Sequence, residues 1–473
     1  MKNIKKVIAL VLAAATALGM SACSGGKKDD GGVPTITWIV PGDDQPDLAS
    51  VLEEANKIVE EKIGAKLDIQ FVPTGSYSEK MKMNMASGYE YDICFTSDWL
   101  NNYDDAVRNG GLYDLTPYMD DIKTIIPEEI IKNVSYDGKI YAIPNIQIYA
   151  LPLAVKARKD LLKKYNFDLQ SIKTVEDVEP FLETIKTNEP ELYPYRSLWS
   201  VSPWVRDTAM EFGASCIHFD YNTHQVCPSW EVEEWMNGVM KLREWYKKGY
   251  IRSDVDSQGD DTTEYKQGKY AVCIDSWKPG QEATDPDYEY KIVCPARKEI
   301  NTGVSTMTAI GAKSKNPDKA FEFIKLINTD AELYNIICNG LEGVHYNFND
   351  EGKIVNVENS GYNPNSDWEF GNQFNAYVKE GMDADVWEKT KKLNDESLDN
   401  PLAGFHLDKE PISVELSNIN AVIDEYRGND CTGLIAATDF DKHFAEFKEK
   451  LEVAGIDKAL KEIESQVNKH LGK

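Results

Sequence analysis

At 473 residues the chain is long enough for two or three domains with cores of their own, which excludes a small disulfide-stapled scaffold. A formal charge of −27, from 79 acidic against 52 basic side chains, repels phosphate backbones and anionic lipid. With no basic patch in the sequence, nucleic acid is excluded as a partner, and acidity spread along the whole chain speaks for solubility rather than for a substrate.

Residues 1–6 carry Lys2, Lys5 and Lys6, and residues 7–20 are an apolar run broken only by Thr16. As a helix that run would reach about 21 Å at 1.5 Å per residue, short of the roughly 30 Å of a bilayer core, so residues 1–22 read as a cleaved secretory signal. The stretch Gly19-Met20-Ser21-Ala22-Cys23 resembles the bacterial lipoprotein box, with Met20 where leucine is commonest. The resemblance implies that Cys23 becomes the first residue and the lipid attachment site, carrying acyl chains such as palmitate. Residues 23–33, built over 24–32 from Gly, Ser, Lys and Asp alone, read as a flexible tether. Loss of the three lysines takes the net charge from −27 to −30.

The body opens with a strand over 35–40, a helix over 47–63 closed by Gly64, a strand over 66–72, a helix over 77–87 and a strand over 91–96. Alternation of this kind predicts a parallel sheet covered by helices, with ligands beyond the carboxyl ends of the strands. The loops leaving those ends are Pro41-Gly42-Asp43-Asp44-Gln45-Pro46, Pro73-Thr74-Gly75-Ser76-Tyr77 and Ser97-Asp98-Trp99. Gly42 and Gly75 stand alone, so no phosphate cradle is formed and a nucleotide is not expected.

Next come Gly111-Leu112-Tyr113-Asp114-Leu115-Thr116-Pro117-Tyr118 and Asp137-Gly138-Lys139-Ile140-Tyr141-Ala142-Ile143-Pro144. In this order, behind a lipoprotein box, they resemble the extracellular solute-binding proteins of ABC importers, in the sugar-binding branch. The resemblance implies an α/β, two-lobed periplasmic-binding-protein-like fold with parallel-type sheets, in which the chain crosses into lobe two near residue 149. Helices are expected over 160–165, 175–186 and 230–248, with a hairpin around Asp220-Tyr221-Asn222-Thr223. Gly268-Lys269-Tyr270-Ala271 resembles the family's second crossover, followed by a strand over 307–312 and a helix over 317–327. Asn339-Gly340-Leu341-Glu342-Gly343 and the stretch from Asn400-Pro401-Leu402-Ala403-Gly404-Phe405 onward resemble a helical C-terminal extension of unassigned function, read as helices over 414–426, 439–453 and 456–471. At Phe405-His406-Leu407-Asp408 the chain departs from the family's usual Phe-Asp continuation. The expected division is signal 1–22, tether 23–33, lobe one 34–148, lobe two 149–270, lobe one again 271–345, and a mostly helical extension 346–473.

Catalytic and metal motifs are sparse. The six histidines form no H-E-x-x-H and no zinc spacing. No G-x-S-x-G elbow occurs. Asp254-x-Asp256-x-Gln258-Gly259-Asp260 begins like a calcium loop but has Tyr265 where the bidentate glutamate belongs, so it reads as a surface turn. No metal or cofactor is expected. Among the cysteines, Cys216 and Cys227 flank the hairpin and could pair, or could both be free.

Aromatic residues carry the candidate site. Trp38, Trp99, Trp199, Trp204, Trp277 and Trp368 lie at strand ends or in loops, where an indole offers either core packing or a flat face to a pyranose, with Asp, Asn and Arg supplying directional bonds to hydroxyls. The candidate ligand-binding residues are Asp44, Tyr77, Asp98, Trp99, Asn145, Tyr149, Trp199, Trp204, Arg206 and Trp277, with Trp99 and Trp277 expected at opposite ends of lobe one and hinges at 145–149 and 274–277. The expected function is a lipid-anchored monomer on the extracellular face of the cell membrane that captures an oligosaccharide, performs no chemistry on it and delivers it to ABC permease subunits. The alternatives are a peptide-binding lipoprotein, which would need charged groups for both termini, and a surface glycan hydrolase, which would need a defined acid and base.

Overall fold

The computed structural model describes residues 32–473 except 150, 198–200, 213, 258–260, 296–304, 398 and 429–430. The expected signal, Cys23 and nearly all of the expected tether lie outside the described residues. In chain order, the first body is built from β1 (Thr35–Pro41), α1 (Leu48–Ile63), β2 (Lys66–Val72), α2 (Thr74–Ser87), β3 (Ile93–Thr96), α3 (Tyr103–Arg108) and β4 (Ala142–Pro144). The second contains β5 (Leu153–Arg158), α4 (Glu179–Asn188), β6 (Tyr193–Arg196), β7 (Ala209–Phe212), β8 (Ala214–Asp220), β9 (Gln225–Pro228), α5 (Glu233–Lys247), β10 (Tyr270–Ser276) and β11 (Tyr288–Cys294). The chain then returns through β12 (Met307–Ile310), α6 (Pro317–Thr329) and α7 (Ala331–Asn339). It closes with β13 (Tyr346–Phe348), β14 (Ile354–Asn356), α8 (Val386–Glu396), α9 (Ser413–Val422), α10 (Thr432–Ala436), α11 (Phe440–Ala454) and α12 (Ile456–His470).

The opening helices follow from the apolar spacing. Val51, Ala55 and Val59 turn one face of α1 into the first core, and Gly64, at φ +63°, ends the helix with its N–H on Glu60 O. Sheet one runs β2-β1-β3-β12-β4 and sheet two β11-β5-β10-β6. Strands β1, β2 and β3 are parallel, whereas β12 is antiparallel to both β3 and β4. In sheet two, β10 is parallel to β6 while β5 is antiparallel to β10 and β11. The mixture has a simple cause. β5 and β12 are the first strands after each passage between lobes, so they enter their sheets at the edge where the other strands leave. Parallel crossovers alone would not have allowed that.

The chain therefore returns to lobe one later than expected. Residues 271–294 hydrogen-bond to β5 across Val272↔Ala157 and Glu289↔Ala157, so they belong to lobe two, and the return comes between β11 and β12. The region expected as one helical extension is also two things. Phe370 and Ala376 join the first core, with Trp368, Phe374 and Trp387 packed on it, so 346–387 is a hairpin and a set of turns belonging to lobe one. Helices α9, α11 and α12 form a third core with Cys216, Ile217 and Phe219 of β8, and Leu434 and Ile435 of α10 complete the second core. The helical part of the extension is thus fused to lobe two. Within the hairpin the register sets His218 opposite Cys227, and Cys216 and Cys227 are both free.

Candidate functional site

Strand direction locates the site. Thr96 at the end of β3 and Pro144 at the end of β4 both lie opposite Met307, the first residue of β12. On the other lobe, Ser276 at the end of β10 and Cys294 at the end of β11 both lie opposite Leu153, the first residue of β5. These two edges are the ones between which the chain passes, so the loops leaving them border the space between lobes.

On the lobe-one edge, Ser97 Oγ accepts from the N–H of Leu100 at 2.7 Å, and Asn102 caps α3 by accepting from Asp105 N at 3.1 Å. The tight turn between them throws Trp99 outward, and it is 54% exposed. Its Nε1 donates to Ser305 O at 2.8 Å, on the second passage between lobes. The indole stands 6.1 Å from the Trp368 ring, and the buried Phe95 ring lies 6.1 Å from Trp99 and 6.0 Å from Trp368. Phe95 is the floor of this cluster and the two indoles are its accessible parts. The first passage is stitched to the same place. Gln147 donates its amide to Thr306 Oγ1. Ile146 N donates to Gly371 O at 2.8 Å and Ile146 O accepts from Gln373 N at 2.8 Å. Asn394 of α8 accepts from Tyr149 N at 2.7 Å and donates to Gln147 O at 2.9 Å.

On the lobe-two edge stands Trp277, half-buried, its backbone N–H on Pro152 O at 3.0 Å and its Nε1 on Glu282 Oε1 at 3.0 Å. Trp277 therefore belongs to the opposite lobe from Trp99, not to the far end of the same one, because β10 is a lobe-two strand. Arg206 follows β6 and a short helix; burial pushes its guanidinium below the ordinary value.

Three candidates are withdrawn into the protein itself. Tyr77 is fully buried, its hydroxyl bonded to the backbone of Ile39 and Phe95 at 2.9–3.1 Å, tying α2 to β1 and β3. Asn145 is buried and spends its amide on Glu369 O at 2.8 Å and its carbonyl on the Thr308 hydroxyl at 3.0 Å. The Trp204 indole lies under α5 against Gly238, where an added Cβ would meet it at 3.1 Å, and its Nε1 donates to Glu176 at 2.7 Å. Trp38 is likewise a core residue, edge-on to Phe323 and Phe370. Asp98 and Tyr149 are half-buried at the lobe-one edge and Asp44 is exposed on the loop after β1. Trp199 lies outside the described residues.

Trp368, Gln147 and Thr306 join the site in the structure without having stood among the sequence candidates. Trp368 had a signal, a tryptophan in a stretch without helical spacing, but no local pattern ties position 368 to the end of β3. Among the described residues no group of three metal-binding side chains occurs. The arrangement can stack a flat apolar surface on Trp99 and Trp368 and offer amide, hydroxyl and carboxyl partners around it.

Comparison with known proteins matches residues 43–333 to the bacterial extracellular solute-binding protein family and residues 401–471 to a domain of unknown function. A carbohydrate ABC transporter substrate-binding protein of Streptococcus pneumoniae is 29% identical, with 100% of this chain and 99% of that protein covered. Lipoprotein LipO of Bacillus subtilis is 24% identical over 75% of the chain and 76% of its own length. Among solved structures, the N-glycan transport solute-binding protein NgtS of S. pneumoniae aligns with TM-score 0.82 and 27% identity over 93% of this chain and 99% of that one. The same protein in complex with Man1GlcNAc aligns at 0.72 and in complex with Man5GlcNAc at 0.68, at the same identity and the same 93% of this chain. With the family matched over more than half its length, and two lobes meeting at their passage edges, the chain belongs to the bacterial extracellular solute-binding proteins.

Proposed function

We propose that this protein is a lipid-anchored receptor that captures an extracellular oligosaccharide between its lobes and hands it to an ABC-type permease, without chemistry on the sugar. The observation that carries the reading is the Trp99–Trp368 pair, accessible at the lobe-one edge beside both passages, with Trp277 on the facing edge. Indole faces suit the C–H face of a pyranose, and Gln147, Thr306 and Asp98 are the partners for hydroxyls. The full-length carbohydrate relative supports the ligand class, and NgtS with its mannosyl-GlcNAc ligands supports a glycan of several residues. Identity and coverage of this chain are constant across the three NgtS structures, so the fall from 0.82 to 0.68 is one of arrangement rather than composition. The arrangement of this chain is nearer that of NgtS outside those two glycan complexes, which supports hinge closure over the ligand. Cys23 at the lipoprotein box supports anchoring on the outer face of the membrane.

Titration of the mature protein with Man1GlcNAc, Man5GlcNAc and a panel of plant and host oligosaccharides tests this reading. At least one is expected to raise the melting temperature, as a ligand of the folded state must, and to be recovered intact by chromatography. Turnover of a glycan, or no response to any of them, would overturn it.

A further inference from the structure

The segment 397–412, between α8 on lobe one and α9 on lobe two, is a third passage between the lobes, and its residues grip both. Phe405 is buried and packs edge-on to Phe212 of β7 at 5.6 Å, inside the third core. The next residue turns the other way. His406 Nδ1 bonds to Asp104 Oδ1 of α3 at 2.9 Å, with its ring against Tyr103 and Tyr136 of lobe one. Its Nε2 has no hydrogen-bond partner among the described residues, so the polar tie of the ring is to Asp104. Gly404, at φ +76°, lies so close to lobe one that an added Cβ would sit 2.7 Å from Lys132 O, a place only glycine fits.

The two grips differ in kind. On the lobe-two side the contact is a hydrophobic core. On the lobe-one side, among the described residues, no member of the third core comes from lobe one and no residue beyond Trp387 enters the first core. What remains there is a small contact: the His406 ring on Tyr103 and Tyr136, Gly404 against Lys132 O, and the polar ties His406–Asp104 and, largely solvent-screened, Arg108 with Asp408 at 3.7 Å. A cavity of about 700 Å³ lined by Arg108, Tyr136, Asp137, Glu462, Gln466 and Lys469 opens beside these contacts, so the junction is not packed solid. Any rotation of lobe two carries the helices of the extension with it and shears this junction, along with the contact of Gly280 on Met382 and Val386.

We propose that the third passage is a latch, in which His406 on Asp104 holds the lobes in the described arrangement and must let go for the cleft to close. His406 and Asp104 are positioning residues: they touch no candidate ligand contact, and act through the equilibrium between lobe arrangements. A ligand that binds the closed state is then opposed by the latch, and loosening it raises apparent affinity by the gain in closed population.

The latch rests on the two-lobed closure proposed above, and the experiment separates the two. Small-angle X-ray scattering of the glycan-free mature protein is compared for wild type, His406→Ala and Asp104→Ala, with melting curves to establish that each is folded. Both variants are expected to have a smaller radius of gyration than wild type without any glycan, and His406→Asn, which keeps a donor near the position of Nδ1, is expected to return it to the wild-type value. Titration with Man5GlcNAc is expected to bind the two alanine variants about 3- to 10-fold more tightly than wild type. An unchanged or larger radius in both folded alanine variants, or weaker binding, would overturn the latch. A smaller radius together with no binding of any glycan by any form would leave the latch standing and overturn the ligand instead. A merely structural role predicts lowered melting temperatures with unchanged radius.

Discussion

At the scale of single residues, a tryptophan at a strand end can be read from sequence only as far as its position. Trp99 and Trp204 both follow strands, yet one is thrown outward by the Ser97–Asn102 turn and the other is pressed on Gly238 by α5, a helix some thirty residues later in the chain. Tyr77 and Asn145 are withdrawn for the same reason: their polar atoms bond groups that only the folded sheet brings near, as buried polar atoms must. The distinction is measurable. Trp99→Ala is expected to weaken oligosaccharide binding by about 1–3 kcal/mol with little change in melting temperature, and Trp38→Ala, on a side chain 1% exposed, to cost about 3–5 kcal/mol of stability. Calorimetric titration and thermal melts on the pair check both. Glu369 offers a second test. Its side chain is buried beside the site, Oε2 has no hydrogen-bond partner among the described residues, and burial pushes its pKa up to about 8. The folded state therefore holds a proton that the unfolded chain releases above the ordinary carboxyl value of 4.5. The stability linked to this group is full below that value and is lost as pH rises toward about 8. Glu369→Gln, which cannot ionise, is expected to gain in melting temperature relative to wild type as pH goes from 5 to 8; a gap that stays constant would remove the buried acid from the account.

At the scale of elements, most of the order was legible, because apolar spacing and glycine stops are local. The first five elements, α6 and the last three long helices follow the spacing closely, and the C-capping Gly455 at φ +97° separates α11 from α12 as expected. What was not legible is which sheet a strand joins. The Gly-Lys-x-Ala stretch correctly announced a strand over 270–276, but pairing with β5 rather than β3 depends on partners more than a hundred residues away. The helices of the extension were legible as helices but not as part of lobe two, since Leu434 and Ile435 reveal their partners only when α10 packs on α5. Arg243, buried in α5, donates to Ile435 O at 2.9 Å and fixes that contact. Leu434→Ala is accordingly expected to destabilise lobe two by about 2–5 kcal/mol, as for a leucine in any core. Val414→Ala, on a side chain 67% exposed, is expected to stay within about 0.5 kcal/mol. Denaturant unfolding of the two variants checks the contrast; equal effects would detach the extension from the second core.

At the scale of the whole molecule, sheet direction sets the relation between the start of the body and the cleft. β1 enters sheet one at Thr35, beside the bond from Lys66 N to Pro34 O at 2.8 Å, and its other end at Pro41 lies on the side where the chain passes between lobes. Seven residues of strand put about 23 Å between those edges. In the lipid-anchored receptor proposed above, a tether over 23–33 would join lobe one on the edge away from the cleft, and eleven residues span at most about 36 Å. In that anchored form a formal charge of −27 would be repelled by anionic lipid and hold the body away from it. Anchor and cleft should therefore be separable functions. Cys23→Ala is expected to move the protein from the membrane fraction to the medium while its melting temperature and its affinity for oligosaccharide stay at wild-type values. Fractionation followed by calorimetric titration of the released protein checks this. A variant still bound to the membrane would sink the lipid attachment at Cys23. A released variant with altered affinity would mean that the tether reaches the cleft, against the direction of β1.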